Sequence, residues 1–339
     1  MTINLKQLSK LLKLSPTTVS RALADYSDVS AKTRARVKQM AIQHGYQPNP
    51  VARRLQKGKT ETIGIVITPE QNYFSDTFFI DLLSGISNQI TRAGYELILG
   101  VASDEEHEMQ SMRRMVEGKR VDGMILTLIR EQDPRVGYLL DRDFPFVLYG
   151  RTRETRPYAF VDMDGKQAFE KACTYLAGLG HRRIALLNGE PGFMFPVGCR
   201  EGYESGLFLS GLELDPDLIR EWKHKDPSQS SYRWTLELFK NDNPPTAILF
   251  QTEAVNGIFK ALDELDLQPG KDVALIGYDD LEIARIHRPS LSVLRPQARE
   301  AGQRVVNILM EVIKGEDPGK FQEIHQVEMV IRETSLPPS

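Results

Sequence analysis

Apolar residues recur every three or four positions through the first 45 residues, a spacing that predicts short amphipathic helices. Residue types that favour helix ends occur at Asn4, Ser15, Pro16, Ser30 and Gly45. The inward-facing positions of the second and third helices are then Val19, Ala22, Leu23, Val37, Met40 and Ala41. The pattern predicts a small three-helix domain whose first helix spans residues 5–13.

From residue 62 onward, short β-branched runs alternate with helical patterns. The predicted strands are 62–68, 97–102, 123–128, 146–149, 158–161, 184–188, 247–251, 273–277 and 291–294. The predicted helices include 77–93, 107–119, 167–179, 200–209, 231–240 and 254–265. Such alternation predicts parallel sheets covered by helices, and nine strands exceed what one such sheet needs. Two α/β subdomains are therefore expected, with a ligand cleft beyond the carboxyl ends of their strands.

The charge is divided unevenly along the chain. The 339 residues carry a net charge of −3, yet residues 1–60 hold twelve Lys or Arg against two Asp, which gives +10 and leaves −13 for the remainder. A basic domain on an acidic body indicates nucleic-acid binding, because neutralised phosphates release counterions. A merely solvated basic surface is the alternative.

The composition is that of a soluble globular protein, with 41% hydrophobic and 26% charged residues. No apolar run approaches the roughly 18 residues of a membrane span, and the N-terminus lacks the pattern of a signal peptide. We therefore expect a cytoplasmic protein. Two cysteines, Cys173 and Cys199, are too few for a disulfide framework or a zinc site.

The outward face of the second predicted helix carries short hydroxyls and one arginine: Thr17, Thr18, Ser20 and Arg21. Side chains of these types reach base edges and phosphates when the N-terminus of a helix enters the major groove. The second helix is therefore the predicted DNA-reading element.

Four segments resemble the lactose/galactose repressor (LacI/GalR) family of bacterial transcription regulators: SPTTVSR at 15–21, VSAKTR at 29–34, GYQPN at 45–49 and VARRL at 51–55. The resemblance extends over essentially the whole chain. It implies an all-α helix-turn-helix domain with a hinge helix, followed by an α/β periplasmic-binding-protein-like core of two parallel-sheet subdomains.

The resemblance also implies domain boundaries. Residues 1–47 form the helix-turn-helix domain, 48–60 the hinge helix and linker, and 61–339 the effector-binding core. Within the core, the N-subdomain takes about 61–158 and 289–319, and the C-subdomain takes about 159–288 and 320–339. The chain thus crosses between the subdomains near 158, 288 and 320.

The DNA contacts that the resemblance implies fall into base contacts (Pro16, Thr17 and Arg21) and phosphate contacts (Thr18, Ser20, Ser30 and Asn49). The remaining predicted DNA-binding residues are Asn4, Ser15, Ala52, Arg53 and Leu55. Two positions depart from the family pattern: Lys13 stands where many relatives have glycine, and Pro16 has no side-chain donor. Specificity is therefore expected to depend more on Thr17 and Arg21.

A helix over residues 51–57 is too short to be stable alone in water. The resemblance implies that it forms when two subunits meet on operator DNA, with Leu55 as an apolar wedge in the minor groove. The alternative is a linker leucine without a special role.

Aromatic and charged residues follow the predicted core strands: Tyr73, Phe74, Arg151, Phe193, Phe195, Arg200, Gln251, Glu253 and Asp279. This mixture suits a sugar, because aromatic faces stack on its apolar side while charged groups bind adjacent hydroxyls. The resemblance implies effector contacts for Tyr73, Arg200 and Asp279. Core packing competes for Tyr73, as it does for Phe74. Asp162 and Asp164 could face the cleft or be solvated.

Catalytic signatures are poor. His107-Glu108 lacks the second histidine of a zincin, Gly58-Lys59-Thr60 lacks the first glycine of a phosphate loop, and no nucleophile elbow occurs. We therefore expect no enzyme, no metal and no cofactor.

The sequence predicts a repressor of a carbohydrate operon that binds a near-palindromic operator as a dimer or tetramer and is released by a small sugar. The resemblance implies that residues 77–93 contribute to the dimer interface. Residues 146–151 and 4–21 resemble regulators of α-glucoside use, which favours a gluco-configured di- or oligosaccharide. A purine is less expected, because Asp226 falls near the position where the purine-binding relative has an aromatic ring. The alternatives are a corepressor ligand, an activator, or a sugar-binding module or enzyme without regulatory DNA binding.

Overall fold

The computed structural model describes residues 3–46, 59–68, 77–222, 227–251 and 254–335. The chain divides into a head, residues 1–60, and a core, residues 61–339. Seven predicted site residues lie outside the described residues: Asn49, Ala52, Arg53, Leu55, Tyr73, Phe74 and Glu253. Among the described residues, no helix is long and apolar enough to cross a membrane.

The head contains the helices α1 (Leu5–Leu12), α2 (Pro16–Leu23) and α3 (Ala31–Gln43). The three predicted N-caps are confirmed. The Asn4 side chain accepts the Gln7 N–H at 2.9 Å, and the Gln7 side chain accepts the Asn4 N–H at 2.8 Å. Ser15 and Ser30 accept the N–H groups three residues further on. These bonds satisfy amides that have no partner within the first turn of a helix.

The core of the head is formed by seven buried side chains: Leu8, Leu12, Val19, Ala22, Val29, Val37 and Ala41. Leu23 and Met40, which were predicted inward-facing, are only half-buried. Helix α1 ends one residue before the predicted position, because Lys13 adopts a left-handed conformation with φ 53° and ψ 41°.

Replacing Lys13 with glycine is expected to stabilise the head by about 1 kcal/mol, because the left-handed region is strained for any residue with a Cβ. Lys13→Ala is the matched control, since it removes the same charge and keeps the strain. In the full-length chain, buried amides of α1 and α2 should exchange about fivefold more slowly in the glycine variant than in the alanine variant. Equal rates would contradict a strained turn.

The first sheet of the core has the order β2-β1-β3-β4-β5-β11, and all its pairings are parallel. Its strands are β1 (Thr62–Ile67), β2 (Glu96–Val101), β3 (Gly123–Leu126), β4 (Phe146–Tyr149), β5 (Ala159–Met163) and β11 (Gln322–His325). The helices along this part of the chain are α4 (Thr77–Arg92), α5 (Glu105–Glu117) and α6 (Pro134–Leu140).

The second sheet has the order β7-β6-β8-β9-β10-β12, and only β12 is antiparallel to its neighbour. Its strands are β6 (Ile184–Asn188), β7 (Ile219–Glu221), β8 (Ala247–Gln251), β9 (Ala274–Tyr278), β10 (Ser292–Arg295) and β12 (Glu328–Val330). The remaining helices are α7 (Gly165–Gly178), α8 (Met194–Leu209), α9 (Pro227–Phe239), α10 (Val255–Glu264), α11 (Glu282–Ile286) and α12 (Ala298–Ile313). The two sheets confirm the predicted pair of α/β subdomains.

The chain passes between the sheets later than the sequence predicts. Strands β5 and β11 belong to the first sheet, and β10 belongs to the second. The crossings therefore follow residues 163, 295 and 325, and the predicted crossings near 158, 288 and 320 each precede the strand that they should follow. The largely buried strands β5 and β10 have the same sequence pattern in either sheet, and the half-exposed edge strand β11 has no distinctive one, so pattern alone could not assign them.

Helix α12, which was not among the predicted helices, packs closely against α4. A Cβ on Gly85 would stand 2.1 Å from the Arg299 carbonyl oxygen, and one on Gly302 would stand 2.4 Å from that of Leu82. Glycine at both crossing points lets the helix backbones approach. The first subdomain is thus assembled from segments more than 200 residues apart.

Candidate ligand cavity and nucleic-acid interface

The predicted DNA-reading residues lie together at the exposed side of α2. Ser15, Pro16 and Thr17 are exposed, while Thr18, Ser20 and Arg21 are half-buried. The hydroxyls of Ser15 and Thr18 are hydrogen-bonded to each other at 2.8 Å. This arrangement presents a proline, short hydroxyls and one guanidinium along a single helix face.

Arg21 is held in place by one neighbour of opposite charge, Asp28, and by an aromatic ring. Its Nη2 atom lies 2.6 Å from Oδ2 of Asp28, and its guanidinium carbon lies 4.7 Å from the Tyr26 ring centroid. Both members of the ion pair are substantially exposed, so solvent screens their attraction. Arg21 can therefore exchange Asp28 for an external acceptor at little cost.

Among the described residues, three other cations of the head make contacts within it. Arg34 donates to the Tyr26 and Val29 carbonyls, Arg36 donates to that of Leu12, and Lys38 pairs with Asp25. Exposed lysines occur at positions 6, 10, 13 and 32. These lysines supply positive surface, and Arg34, Arg36 and Lys38 connect α3 to the segments around it.

A cavity of about 740 Å³ lies between the carboxyl ends of the strands of the two sheets. Residues 127–129, 149–153 and 162–163 line it from the first subdomain. Residues 189–190 and 193–198, with Gln251 and Asp279, line it from the second. Its size falls within the range of about 300–1,000 Å³ that is typical of small-molecule sites.

Aromatic rings form much of the cavity wall: Phe78, Phe79, Tyr149, Phe193, Phe195, Trp222 and Tyr278. The rings of Phe195 and Tyr278 lie 4.6 Å apart between centroids, and those of Phe78 and Tyr149 lie 5.9 Å apart. These flat apolar surfaces are supported by both subdomains. They suit a ligand with apolar faces.

Charged groups stand among the rings. The Nε atom of Arg151 lies 2.5 Å from Oδ2 of Asp162, and both residues line the cavity. Burial raises the pKa of Asp162 above the usual value of an aspartate, although Arg151 acts in the opposite direction. The pair can offer a donor and an acceptor to adjacent hydroxyls of a ligand.

Asp279 follows β9 at the cavity wall. Its backbone has a φ of +86°, and its N–H donates to the Leu294 carbonyl at 2.8 Å. This bond links the end of β9 to β10 and fixes the aspartate at the carboxyl edge of the sheet. Asp279 and Gln251 thus stand where the sequence places them, and their binding of an effector stays a prediction.

Arg200 is the predicted contact that the structure places elsewhere, since it is not among the described residues that line the cavity. Its Nε atom bonds Glu204 at 2.9 Å, and its Nη1 atom lies 3.3 Å from Glu221. A carboxylate one turn further along α8 and a second one on β7 thus hold the guanidinium. The family pattern identified the residue type but not these local partners.

Several cavity residues were missed by the sequence reading, chiefly Thr127, Arg153, Lys166, Glu190, Glu201 and Trp222. Thr127 is 2% exposed, and its hydroxyl has no hydrogen-bond partner in the described part of the chain. The predicted strand 123–128 placed Thr127 inside β3, whereas the strand ends at Leu126. Because the strand ends at Leu126, Thr127 is the first residue after it and belongs with the other strand-end residues that line the cavity.

A buried ionic cluster positions the loop that follows β3. Arg135 bonds Glu108 and Asp133 at 2.6 Å, and all three side chains are at most 3% exposed. Arg135 also donates to the carbonyls of Thr127 and Leu128, the latter with a φ of +48°. Burial would raise the pKa of Asp133, but Arg135 holds that pKa below its usual value. The cluster therefore fixes one wall of the cavity.

Replacing Arg135 with methionine is expected to lower the free energy of unfolding by about 3 kcal/mol, because Asp133 would become a buried charge without its guanidinium. Arg299→Met is the matched control, because Arg299 pairs with Asp81 on the surface and its loss should matter far less. Urea unfolding of both variants measures the difference. Equal losses would contradict the role given to the buried cluster.

The fold and these two sites define a two-subdomain ligand-binding protein with a separate helical head. Residues 4–49 match the profile of bacterial regulatory proteins of the lacI family, and residues 173–335 match that of a periplasmic binding protein-like domain. The transcriptional regulator AglR of Rhizobium meliloti strain 1021 is 35% identical, over 99% of this chain and 95% of its own. The regulator RafR of Escherichia coli is 33% identical, over 94% and 95%.

Solved structures show the same architecture. A LacI-family regulatory protein from Chloroflexus aggregans is 28% identical with a TM-score of 0.74, over 81% of this chain and 99% of that one. A lac repressor dimer bound to operator and the anti-inducer ONPF has a TM-score of 0.86 at 23% identity, over 99% and 100% of the two chains. The chain therefore belongs to the lacI family of bacterial regulatory proteins and is a DNA-binding transcription regulator.

Proposed function

We propose that this protein represses a carbohydrate-utilisation operon, binds a near-palindromic operator as a dimer through its heads, and is released by a small sugar. The observation that carries the proposal is the aromatic cavity between the two sheets, with Asp279 and the Arg151–Asp162 pair on its walls. The role that we propose for the cavity is regulatory rather than catalytic. Occupancy of the cavity would change the balance between subdomain arrangements and hence operator affinity.

The cavity favours a neutral sugar larger than one ring. Its volume of about 740 Å³ lies in the upper part of the usual range for ligand sites. Charged residues of both signs line it, including Arg151, Lys166, Asp162 and Asp279. The cavity therefore does not favour a ligand of one sign of charge. A gluco-configured di- or oligosaccharide fits these features. A CelR–cellobiose complex of similar fold, with a TM-score of 0.74, shows that one such protein holds a disaccharide.

The dimer is proposed to form partly through α4 and the edge of the first sheet. Ile80 on α4 is 44% exposed, and Val101 at the end of edge strand β2 is 56% exposed. A two-fold dimer would present two heads to two half-sites related by a dyad. Residues 48–60 are proposed as the hinge, with Asn49, Ala52, Arg53 and Leu55 among the DNA contacts.

The experiment is a thermal-shift screen of the full chain against maltose, trehalose, cellobiose, melibiose and raffinose, with hypoxanthine as the purine control. The sugar that binds should raise the melting temperature saturably, because a ligand of the native state stabilises it by mass action. It should also perturb the fluorescence of Trp222, which lines the cavity.

The same sugar is then added to an operator titration. Weaker operator binding, by tenfold or more, supports induction. Tighter binding would identify a corepressor and overturn the proposed sign of regulation. If none of the sugars binds while hypoxanthine does, the carbohydrate proposal fails.

A further inference from the structure

Two loops from opposite subdomains meet beside the cavity as a short antiparallel pair. Arg130 lies opposite Phe193 in an isolated antiparallel bridge. The Glu131 N–H donates to the Gly192 carbonyl, and the Met194 N–H donates to the Ile129 carbonyl, both at 2.9 Å. Because residues 129–131 follow β3 and residues 192–194 lead into α8, these two backbone bonds join one subdomain directly to the other.

Side chains reinforce this backbone pair. The guanidinium carbon of Arg130 lies 5.7 Å from the Phe193 ring centroid, within the range of a cation–π contact. The same guanidinium bonds Glu105 and Glu108, each at 3.0 Å, so it is anchored to α5 of its own subdomain. Arg130 therefore presents a fixed positive charge to a ring of the opposite subdomain.

A second contact crosses the cleft nearby. Arg153 bonds the Glu131 carboxylate at 2.9 Å and lies 3.8 Å from Glu201 on α8. Lys166 lies 3.3 Å from the same Glu201. Glu131, Arg153, Glu201 and Lys166 thus form a row of alternating charges that runs from the loop after β3 to the second subdomain. Their attraction favours the approach of the two loops.

The paired loops also form part of the cavity wall. Ile129, Phe193 and Met194 line the cavity, whereas Arg130 and Glu131 are not among its lining residues. Separation of the two loops would remove wall residues from both sides at once. Among the described residues, two backbone hydrogen bonds join the loops, a number small enough for the pair to open and close reversibly.

We propose that residues 129–131 and 192–194 form a latch, which holds the two subdomains closed over the cavity and must open for ligand exchange. Its regulatory meaning rests on the proposed function, because only then does closure govern operator release. The closed pairing itself does not depend on that function, and it can be tested without any sugar.

The first test is the double variant Arg130→Cys with Phe193→Cys in the full chain. These residues form a pair of the non-hydrogen-bonded kind, whose Cα atoms stand about 4.5 Å apart, and disulfides span about 4.4–6.8 Å. The native cysteines Cys173 and Cys199 are buried. Mild oxidation without sugar should consume both new thiols in most molecules, and reduction should restore them.

The two single-cysteine variants are the controls, and they should form no intramolecular bond. If the double variant keeps both thiols free while each single variant reacts with a thiol reagent, the loops are apart in solution and the latch is overturned.

The second test removes one latch hydrogen bond. Met194 is the first residue of α8, a position that accepts proline, and Phe193 before it is extended (φ −93°, ψ 143°), as a residue before proline must be. Met194→Pro deletes the donor to Ile129, and Met194→Ala keeps it while removing the side chain. The Glu131 amide, which makes the other bond, should exchange about fivefold faster in the proline variant than in the alanine variant.

Equal exchange rates in the two Met194 variants would overturn the latch, because the two backbone bonds would then not form as a unit. A sugar screen in which nothing binds would instead overturn the proposed function and leave both of these results unchanged.

Discussion

Replacing Asp279 with asparagine is expected to weaken effector binding by about 10- to 100-fold and to leave operator affinity without effector unchanged. A hydrogen bond to a charged group contributes about 1.5–3 kcal/mol, and asparagine removes the charge while keeping the shape. The φ of +86° makes the choice important, because asparagine tolerates positive φ better than alanine does. The loss should therefore report on binding rather than on strain.

Asp266→Asn is the matched control. Asp266 also has a positive φ, of 56°, and lies in an exposed turn outside the cavity. Isothermal titration with the sugar that passes the thermal-shift screen measures both variants. If Asp279→Asn binds that sugar as tightly as Asp266→Asn does, Asp279 is not an effector contact.

Replacing Arg21 with alanine is expected to lower affinity for the specific operator by about 10- to 100-fold and to relax the base preference at one position of each half-site. A bidentate contact from arginine to a base discriminates by about 1–3 kcal/mol. The guanidinium is available because its partner Asp28 is exposed and binds it weakly. Fluorescence anisotropy with the operator and with single-base operator variants measures the effect.

Lys32→Ala removes the same charge from an exposed position on α3 and serves as the control. Loss of a lysine that contacts only phosphate should weaken binding equally on all sequences. It should also reduce the slope of log affinity against log salt concentration by about one. Arg21→Ala should differ by weakening the specific operator more than a random duplex. Equal weakening on both duplexes would assign Arg21 to the backbone instead.

The head shows how far a local pattern can predict structure. The caps at Asn4, Ser15 and Ser30 and four of the six predicted inward positions of α2 and α3 follow from spacing and residue type, because a short helix is decided largely by its own turns. Lys13 departs from the family pattern. Its left-handed backbone, which ends α1 one residue early, became visible only in the structure.

In the core, local patterns predict where strands lie but not which sheet each strand joins. Strand positions were predicted nearly to the residue for β4, β6 and β8, because short apolar runs between helical segments are distinctive. The sheet that each strand joins was not predictable, and all three crossings were placed too early. Membership of a sheet depends on pairing with strands far away in the chain, which no short window contains.

The sequence by itself determined a basic helix-turn-helix head, an α/β core of two subdomains and a set of strand-end residues suited to a sugar. Only the tertiary structure decided which of those residues share a cavity. It turned Arg200 toward Glu204 and Glu221, added Thr127 to the wall, and brought residues 129–131 against 192–194. The physical reason is that helix ends and strand patterns arise from neighbours in the chain, whereas a cavity and a latch arise from packing between segments far apart in it.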